Sequence, residues 1–107
     1  MSSKDTVVLH GTDLSQPCRT VSWLLRMHNV PFEYQMVMPG AKKGTKSPEF
    51  IQKKNRFGTV PVLEHNGNVI SESAAIVVYL AEVFKWDDLY PSNNPGKKAE
   101  INSWMHW

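Results

Sequence analysis

Between Thr6 and Val37 the chain changes its hydrophobic period twice, and this constrains the fold more than any other feature of its 107 residues. Thr6 to His10 (TVVLH) is a short β-branched, apolar run that reads as a buried strand. Gly11 to Gln16 is a polar loop, and Pro17 stands where proline suits a first helical turn. From Cys18 to His28, Val21, Leu24, Leu25 and His28 fall on one face with Trp23 and Met27 beside it, which is helical spacing. Asn29-Val30-Pro31 ends that helix, and Phe32 to Val37 alternates as a second strand. A strand, a helix and a strand this close together form a βαβ unit, with parallel strands and a right-handed crossover.

The segment from Pro39 to Arg56 is irregular and basic, with a short helix expected around Pro48 to Lys53. Val60 to His65 and Asn68 to Ser71 read as two strands joined by Asn66-Gly67, the strongest short hairpin signal. Ser73 to Phe84 reads as a helix N-capped by Ser71. Its residues, from Ala74 through Phe84, leave almost no polar side, which predicts burial on both sides. A single sheet covers only one. Tyr90 to Gly96 reads as a linker, and Lys97 to Trp107 as the start of another helix with Ile101, Trp104 and Met105 on one face. An aromatic amphipathic stretch at that point has little left to pack against, so the chain is expected to be truncated. The order βαβ, hairpin, helix matches an α/β thioredoxin-like fold with a four-stranded mixed sheet. Periodicity alone leaves other small α/β arrangements open.

Composition narrows the function classes. The length fits one domain. The net charge of +2 says little about partners. The single cysteine excludes an internal disulfide and a cysteine-based zinc site. The N-terminus lacks the apolar core of a signal peptide, and no aliphatic run is long enough to span a membrane, so the expectation is a soluble cytoplasmic protein. His10, His28, His65 and His106 have no metal-ligand spacing, and no metal is expected.

Several segments carry a family resemblance. Leu14-Ser15-Gln16-Pro17-Cys18-Arg19 resembles the S-x-P-C-R segment of theta- and delta-class glutathione transferases of the serine type. Asn29 to Glu33 resembles the turn into their second strand, Asn55 to Leu63 their N-P-x-x-x-V-P-x-L stretch, Ile70 to Ile76 their E-S-x-A-I segment, and Leu89-Tyr90-Pro91 the end of their first domain. The segments occur in family order across nearly the whole chain. The resemblance implies a glutathione-binding, thioredoxin-like domain over residues 1–90. Residues 91–107 would then be a linker and the first part of a helix from an all-helical second domain.

The same resemblance assigns roles. Ser15 would be the catalytic residue, its hydroxyl stabilising the thiolate of glutathione beside a helix N-terminus that favours an anion. A free thiol with a pKa near 8.5 is only a few per cent ionised at pH 7, and lowering it by two units requires roughly 2.7 kcal/mol. A hydrogen bond to a charged group contributes about 1.5–3 kcal/mol, so a hydroxyl and a helix terminus suffice together. The structural alternative is that Ser15 only caps the helix; Thr12 is the other candidate hydroxyl. Val60-Pro61 would be a cis bond that offers the Val60 backbone to the cysteinyl part of glutathione as an added strand, against the alternative of an ordinary edge proline with a trans bond. Glu72 and Ser73 would hold the γ-glutamyl end, the helix N–H groups taking its carboxylate, against the alternative of a plain capping segment. For the glycyl carboxylate, a gap-free match puts Lys46 at the family's histidine position, whereas matching Pro48-Glu49-Phe50 shifts it; Thr59 precedes Val60-Pro61. Arg56 replaces the family's usual proline. Cys18 reads as a small buried hydrophobe rather than a redox nucleophile, because it has no C-x-x-C partner.

The reading is therefore a glutathione S-transferase domain, with glutathione as co-substrate, a small electrophile as the second substrate and a homodimer in the full-length protein. Neither nucleic acid nor a membrane is an expected partner: aromatic residues interleaved among the lysines from Lys42 to Lys54 are sparse, Phe50 standing alone among them. Two other functions compete: a non-catalytic transferase-like interaction module, and a glutathione-dependent thiol reductase using Cys18.

Overall fold

The computed structural model describes residues 6–37, 48, 58–91 and 93–105. The expected short helix at Pro48 to Lys53 lies, apart from Pro48, outside the described residues, and so does Lys46. In chain order the elements are β1 (Val7–Gly11), α1 (Gln16–Met27), β2 (Phe32–Met36), β3 (Val62–His65), β4 (Asn68–Ser71), α2 (Ser73–Val83) and α3 (Pro95–Met105). The chain forms two compact units, Met1–Ser73 and Ala74–Trp107.

The first unit is built on a four-stranded sheet of order β2-β1-β3-β4. β1 and β2 are parallel, as the βαβ unit predicts, with Leu9 opposite Tyr34 and Gly11 opposite Met36. β1 and β3 are antiparallel, with His10 opposite Val62, and β3 and β4 close the hairpin with Val62 opposite Ser71. This is the mixed sheet of a thioredoxin-like fold. Asn66 and Gly67 both take positive φ, 51° and 81°, which suits a tight hairpin turn to the twist of its strands.

The fully buried residues of this unit repeat the sequence periods. Leu9 and its cross-strand partner Leu63 share one sheet face, and α1 buries Cys18, Val21, Ser22 and Leu25, spaced three and four apart. A fully buried leucine or valine is worth about 1.5–3 kcal/mol, more than the few tenths that helix propensity decides per residue. Val62 and His10, on the opposite sheet face, are also buried, so the two central strands are covered on both sides. His10 Nε2 lies 2.6 Å from Glu64 Oε2, which gives the buried imidazole a partner.

α1 ends as its sequence dictates. Asn29 takes a left-handed φ of 57°, its N–H donates to Arg26 O, and the Val30 N–H donates to Leu25 O at 2.9 Å. These two bonds satisfy carbonyls that the helix end would otherwise orphan.

In the second unit, α2 buries Ile76, Val77, Leu80 and Ala81, while Ala75 and Val83 are exposed. The burial in this chain is one-sided, and the side that carries Ala75 and Val83 is the one for which the all-apolar sequence calls for a further cover. α2 starts at Ser73, so its flanking residue is Glu72; Ser71, the expected cap, is the last residue of β4. α3 begins at Pro95, two residues before its expected start, because Asn94 caps it: Asn94 Oδ1 accepts the Lys97 N–H at 3.0 Å. Asn-Pro, which reads as a turn, is here an N-cap followed by proline at N1. Lys98 lies 3.6 Å from Glu82 and 5.2 Å from the Tyr90 ring centre, and the Tyr90 hydroxyl donates to Asn102 at 3.2 Å. These contacts join α3 to α2 and its following turn. Trp104, placed on the apolar face by spacing, is 70% exposed.

Candidate functional site

The strand register brings the expected site segments to one end of the sheet. The C-terminal end of β1 leads into the Thr12–Ser15 loop. At the level of His10 stands Val62, which follows Val60-Pro61, and opposite Val62 stands Ser71, which precedes Glu72-Ser73. The loop, the Val60-Pro61 bond and the β4–α2 junction therefore share an edge. The C-terminal end of β2, with Met36, lies there too.

Ser15 is the N-cap residue of α1, extended at φ −96°, ψ 127°. Its N–H donates to Thr12 O at 3.0 Å and its carbonyl accepts the Arg19 N–H at 3.0 Å, but its hydroxyl makes no capping bond. The first turn of α1 carries no acidic side chain, so no carboxylate of that turn neutralises the helix terminus. Thr12 is buried, and its Oγ1 accepts the Leu14 N–H at 3.3 Å. That hydroxyl shapes the loop, which leaves Ser15 as the more accessible one.

The Val60-Pro61 bond is cis. Val60 is half-buried, Pro61 buried and Thr59 exposed. Glu72 takes φ 75°, a conformation that a residue with a Cβ adopts only when its surroundings impose it. The side chain is exposed, and Ser73 opens α2. Cys18 is fully buried, and a Cβ built on Gly11 would fall 2.6 Å from its Sγ. A thiol enclosed in this way is the small buried hydrophobe that its sequence context predicts.

Sequence reasoning missed what holds the loop. The Tyr34 hydroxyl donates to Asp13 Oδ1 at 2.9 Å, the Ser22 hydroxyl stands 3.3 Å from the same oxygen, and Arg19 Nη1 donates to the Asp13 carbonyl at 2.8 Å. Burial, reinforced by the bond to Asp13, pushes the Tyr34 pKa well above its usual value, so the phenol stays a donor. Gly11, Thr12, Asp13, Leu14, Tyr34 and Met36 line an open depression of about 550 Å³. Leu14 is 78% and Met36 76% exposed. Leu14, an apolar residue in an otherwise polar loop, was the available signal. Tyr34 was hidden in a strand and Asp13 looked like an ordinary turn residue.

Among the described residues no cluster of histidine, cysteine and carboxylate side chains could hold a metal ion, and no helix is long and apolar enough to cross a membrane.

The sheet order and this edge define a thioredoxin-like protein. The family model described as glutathione S-transferase, N-terminal domain, matches residues 9–88, and the chain belongs to that family. It is 33% identical over its whole length to a dichloromethane dehalogenase of Methylophilus leisingeri, covering 39% of that protein. It is 29% identical to glutathione S-transferase theta-1 of Rattus norvegicus over 88% of this chain and 38% of that one. Among solved structures, an epsilon-class glutathione S-transferase of the housefly Musca domestica is 39% identical with a TM-score of 0.85, over 94% of this chain and 45% of that one. A glutathione transferase homologue of Drosophila mojavensis, solved with bound glutathione, is 33% identical with a TM-score of 0.86 over the same shares. The chain thus spans less than half the length of these relatives.

Proposed function

We propose that the chain is the glutathione-binding part of a glutathione S-transferase, in which Ser15 stabilises the thiolate of glutathione for attack on a small electrophile. The observation that carries this reading is the Ser15 hydroxyl. It sits at the N-terminus of α1, makes no capping bond and is flanked by no first-turn carboxylate. A hydroxyl there can donate to a sulfur anion, and the helix dipole acts in the same direction. The thiol proton passes to solvent, the thiolate forms the carbon–sulfur bond, and the electrophile's leaving group departs or its π-electrons shift.

Val60 would pair with the cysteinyl backbone, Glu72 and Ser73 would hold the γ-glutamyl end, and Lys46 and Thr59 would lie towards the glycyl carboxylate. Residues 1–90 would form this domain, and residues 91–107 the linker and the first part of a helix from a helical domain that completes the electrophile site. A homodimer in the cytoplasm is the corresponding state of the full-length protein. The buried Cys18 favours this reading over a cysteine-based reductase. An interaction module would have no use for an uncapped hydroxyl at this edge.

Titration of the chain with glutathione, followed by backbone amide shifts, tests the site. Shifts should concentrate at Ser15, Val60, Glu72 and Ser73, and Glu72→Ala should weaken binding more than Lys97→Ala. Shifts confined to Lys97–Met105 would refute the assignment.

A further inference from the structure

We propose that Asp13 is a positioning residue: by accepting the Tyr34 hydroxyl it ties the Thr12–Ser15 loop to β2 and fixes the direction of the Ser15 hydroxyl. This inference rests on the reading of Ser15 given above.

The loop's own bonds are short-range. Ser15 N–H reaches Thr12 O, and Leu14 N–H reaches Thr12 Oγ1. Such bonds close a turn but do not orient it relative to the sheet. Asp13 supplies that connection in several directions. Its carboxylate accepts from Tyr34 on β2 at 2.9 Å and faces the Ser22 hydroxyl of α1 at 3.3 Å, while its carbonyl accepts from Arg19 at 2.8 Å. Arg26 stands 4.0 Å from the other carboxylate oxygen, but both groups are half exposed, so that ion pair adds little. Tyr34 is itself fixed: it is opposite Leu9 in the β1–β2 register, and its ring lies 3.8 Å from the position a Gly11 Cβ would take. The chain from a rigid strand to Ser15 is therefore Tyr34, Asp13 and two peptide units.

An aspartate this close to an anion site would oppose the anion if it faced it. Its carboxylate is instead engaged by Tyr34 and the α1 side chains, so its useful contribution is geometric. Hydrogen bonds weaken steeply as they bend, so a small rotation of the loop diminishes what Ser15 contributes while leaving Ser15 in place.

The test measures the pKa of the thiol of glutathione bound to this chain, by thiolate absorbance, in parallel with the affinity for S-methylglutathione, which has no ionisable thiol. Tyr34→Phe and Asp13→Ala should each raise that pKa by about half a unit to one unit, roughly three- to tenfold less thiolate below the pKa. Asp13→Asn removes the same charge as Asp13→Ala but keeps an acceptor for Tyr34, so it should give back most of the shift. Affinity for S-methylglutathione should change by no more than about twofold, and Ser15→Ala with Tyr34→Phe should match Ser15→Ala alone, because Tyr34 acts through Ser15. Equal shifts for Asp13→Asn and Asp13→Ala, additivity in the double variant, or no shift in Tyr34→Phe while Ser15→Ala does shift the pKa, would each overturn the positioning role only. No shift in Ser15→Ala would overturn the Ser15 reading and this one with it.

Discussion

Gly11 and Cys18 occupy one space: a Cβ added to Gly11 would come within 2.6 Å of Cys18 Sγ, closer than real Cβ atoms stand to any neighbour. The last residue of β1 and the first buried residue of α1 are thus packed in contact just beside the Ser15 loop. Gly11→Ala should destabilise the fold by about 1–3 kcal/mol through overpacking. Cys18→Ala alone should cost about 1 kcal/mol for the lost sulfur. Together they should lose less than the sum, with a coupling of about 0.5–3 kcal/mol. Urea unfolding of the two single variants and the double variant measures this; strict additivity would mean that the contact is absent.

Tyr34 should set a limit to alkaline stability. Its pKa is raised in the folded chain, first by burial and then by the bond to Asp13. A group whose folded pKa lies above its unfolded value of about 10 binds more protons when folded, so its contribution is fully present below pH 10 and falls as pH rises above it. The wild-type chain should lose stability above pH 10 more steeply than Tyr34→Phe. Equal slopes for the two would show that the phenol is not perturbed by folding.

Glu72 should separate stability from binding. Its φ of 75° disfavours any residue with a Cβ, and glycine adopts it without that penalty. Glu72→Gly and Glu72→Ala both remove the carboxylate and should weaken glutathione binding alike, but the glycine variant should be more stable than the alanine variant by about 1 kcal/mol. Thermal unfolding and a binding titration of the pair decide this. A glycine variant less stable than the alanine variant would contradict the left-handed backbone at this position.

Asn94 should carry the start of α3. Its side chain accepts the Lys97 N–H, and no acidic residue supports the first turn. Asn94→Ala should cost about 0.5–2 kcal/mol of local helix stability, and Asn94→Asp should retain the cap. Amide exchange at Lys97 and Lys98 reports the change, and unaltered exchange in Asn94→Ala would mean the cap is not needed.

The sheet was legible because its signals are local: β-branched runs, Asn66-Gly67, and Cys18, Val21 and Leu25 on one helix face. Ser15, Val60 and Glu72 stand out in the sequence as motif positions, and the register brings the strand ends that lead into their segments to one end of the sheet. Three features were not legible, for physical reasons. The one-sided burial of α2 depends on what surrounds the helix, and an all-apolar sequence does not encode which side is covered. α3 starts earlier than its sequence pattern implies because Asn-Pro serves turns and helix N-termini equally well. The Asp13–Tyr34 bond joins residues 21 apart in sequence, and neither residue type signals it.

In the proposed reaction Ser15, not Cys18, governs the reactive sulfur, and the most direct measurement is the thiol pKa of glutathione bound to the Ser15→Ala and Cys18→Ala chains. Loss of one hydrogen bond to an anion, about 1.5–3 kcal/mol, predicts that Ser15→Ala raises this pKa by about one to two units. Cys18→Ala should leave it unchanged. An unshifted pKa in Ser15→Ala, together with a mixed disulfide trapped between glutathione and Cys18, would contradict the account and assign the chemistry to the cysteine.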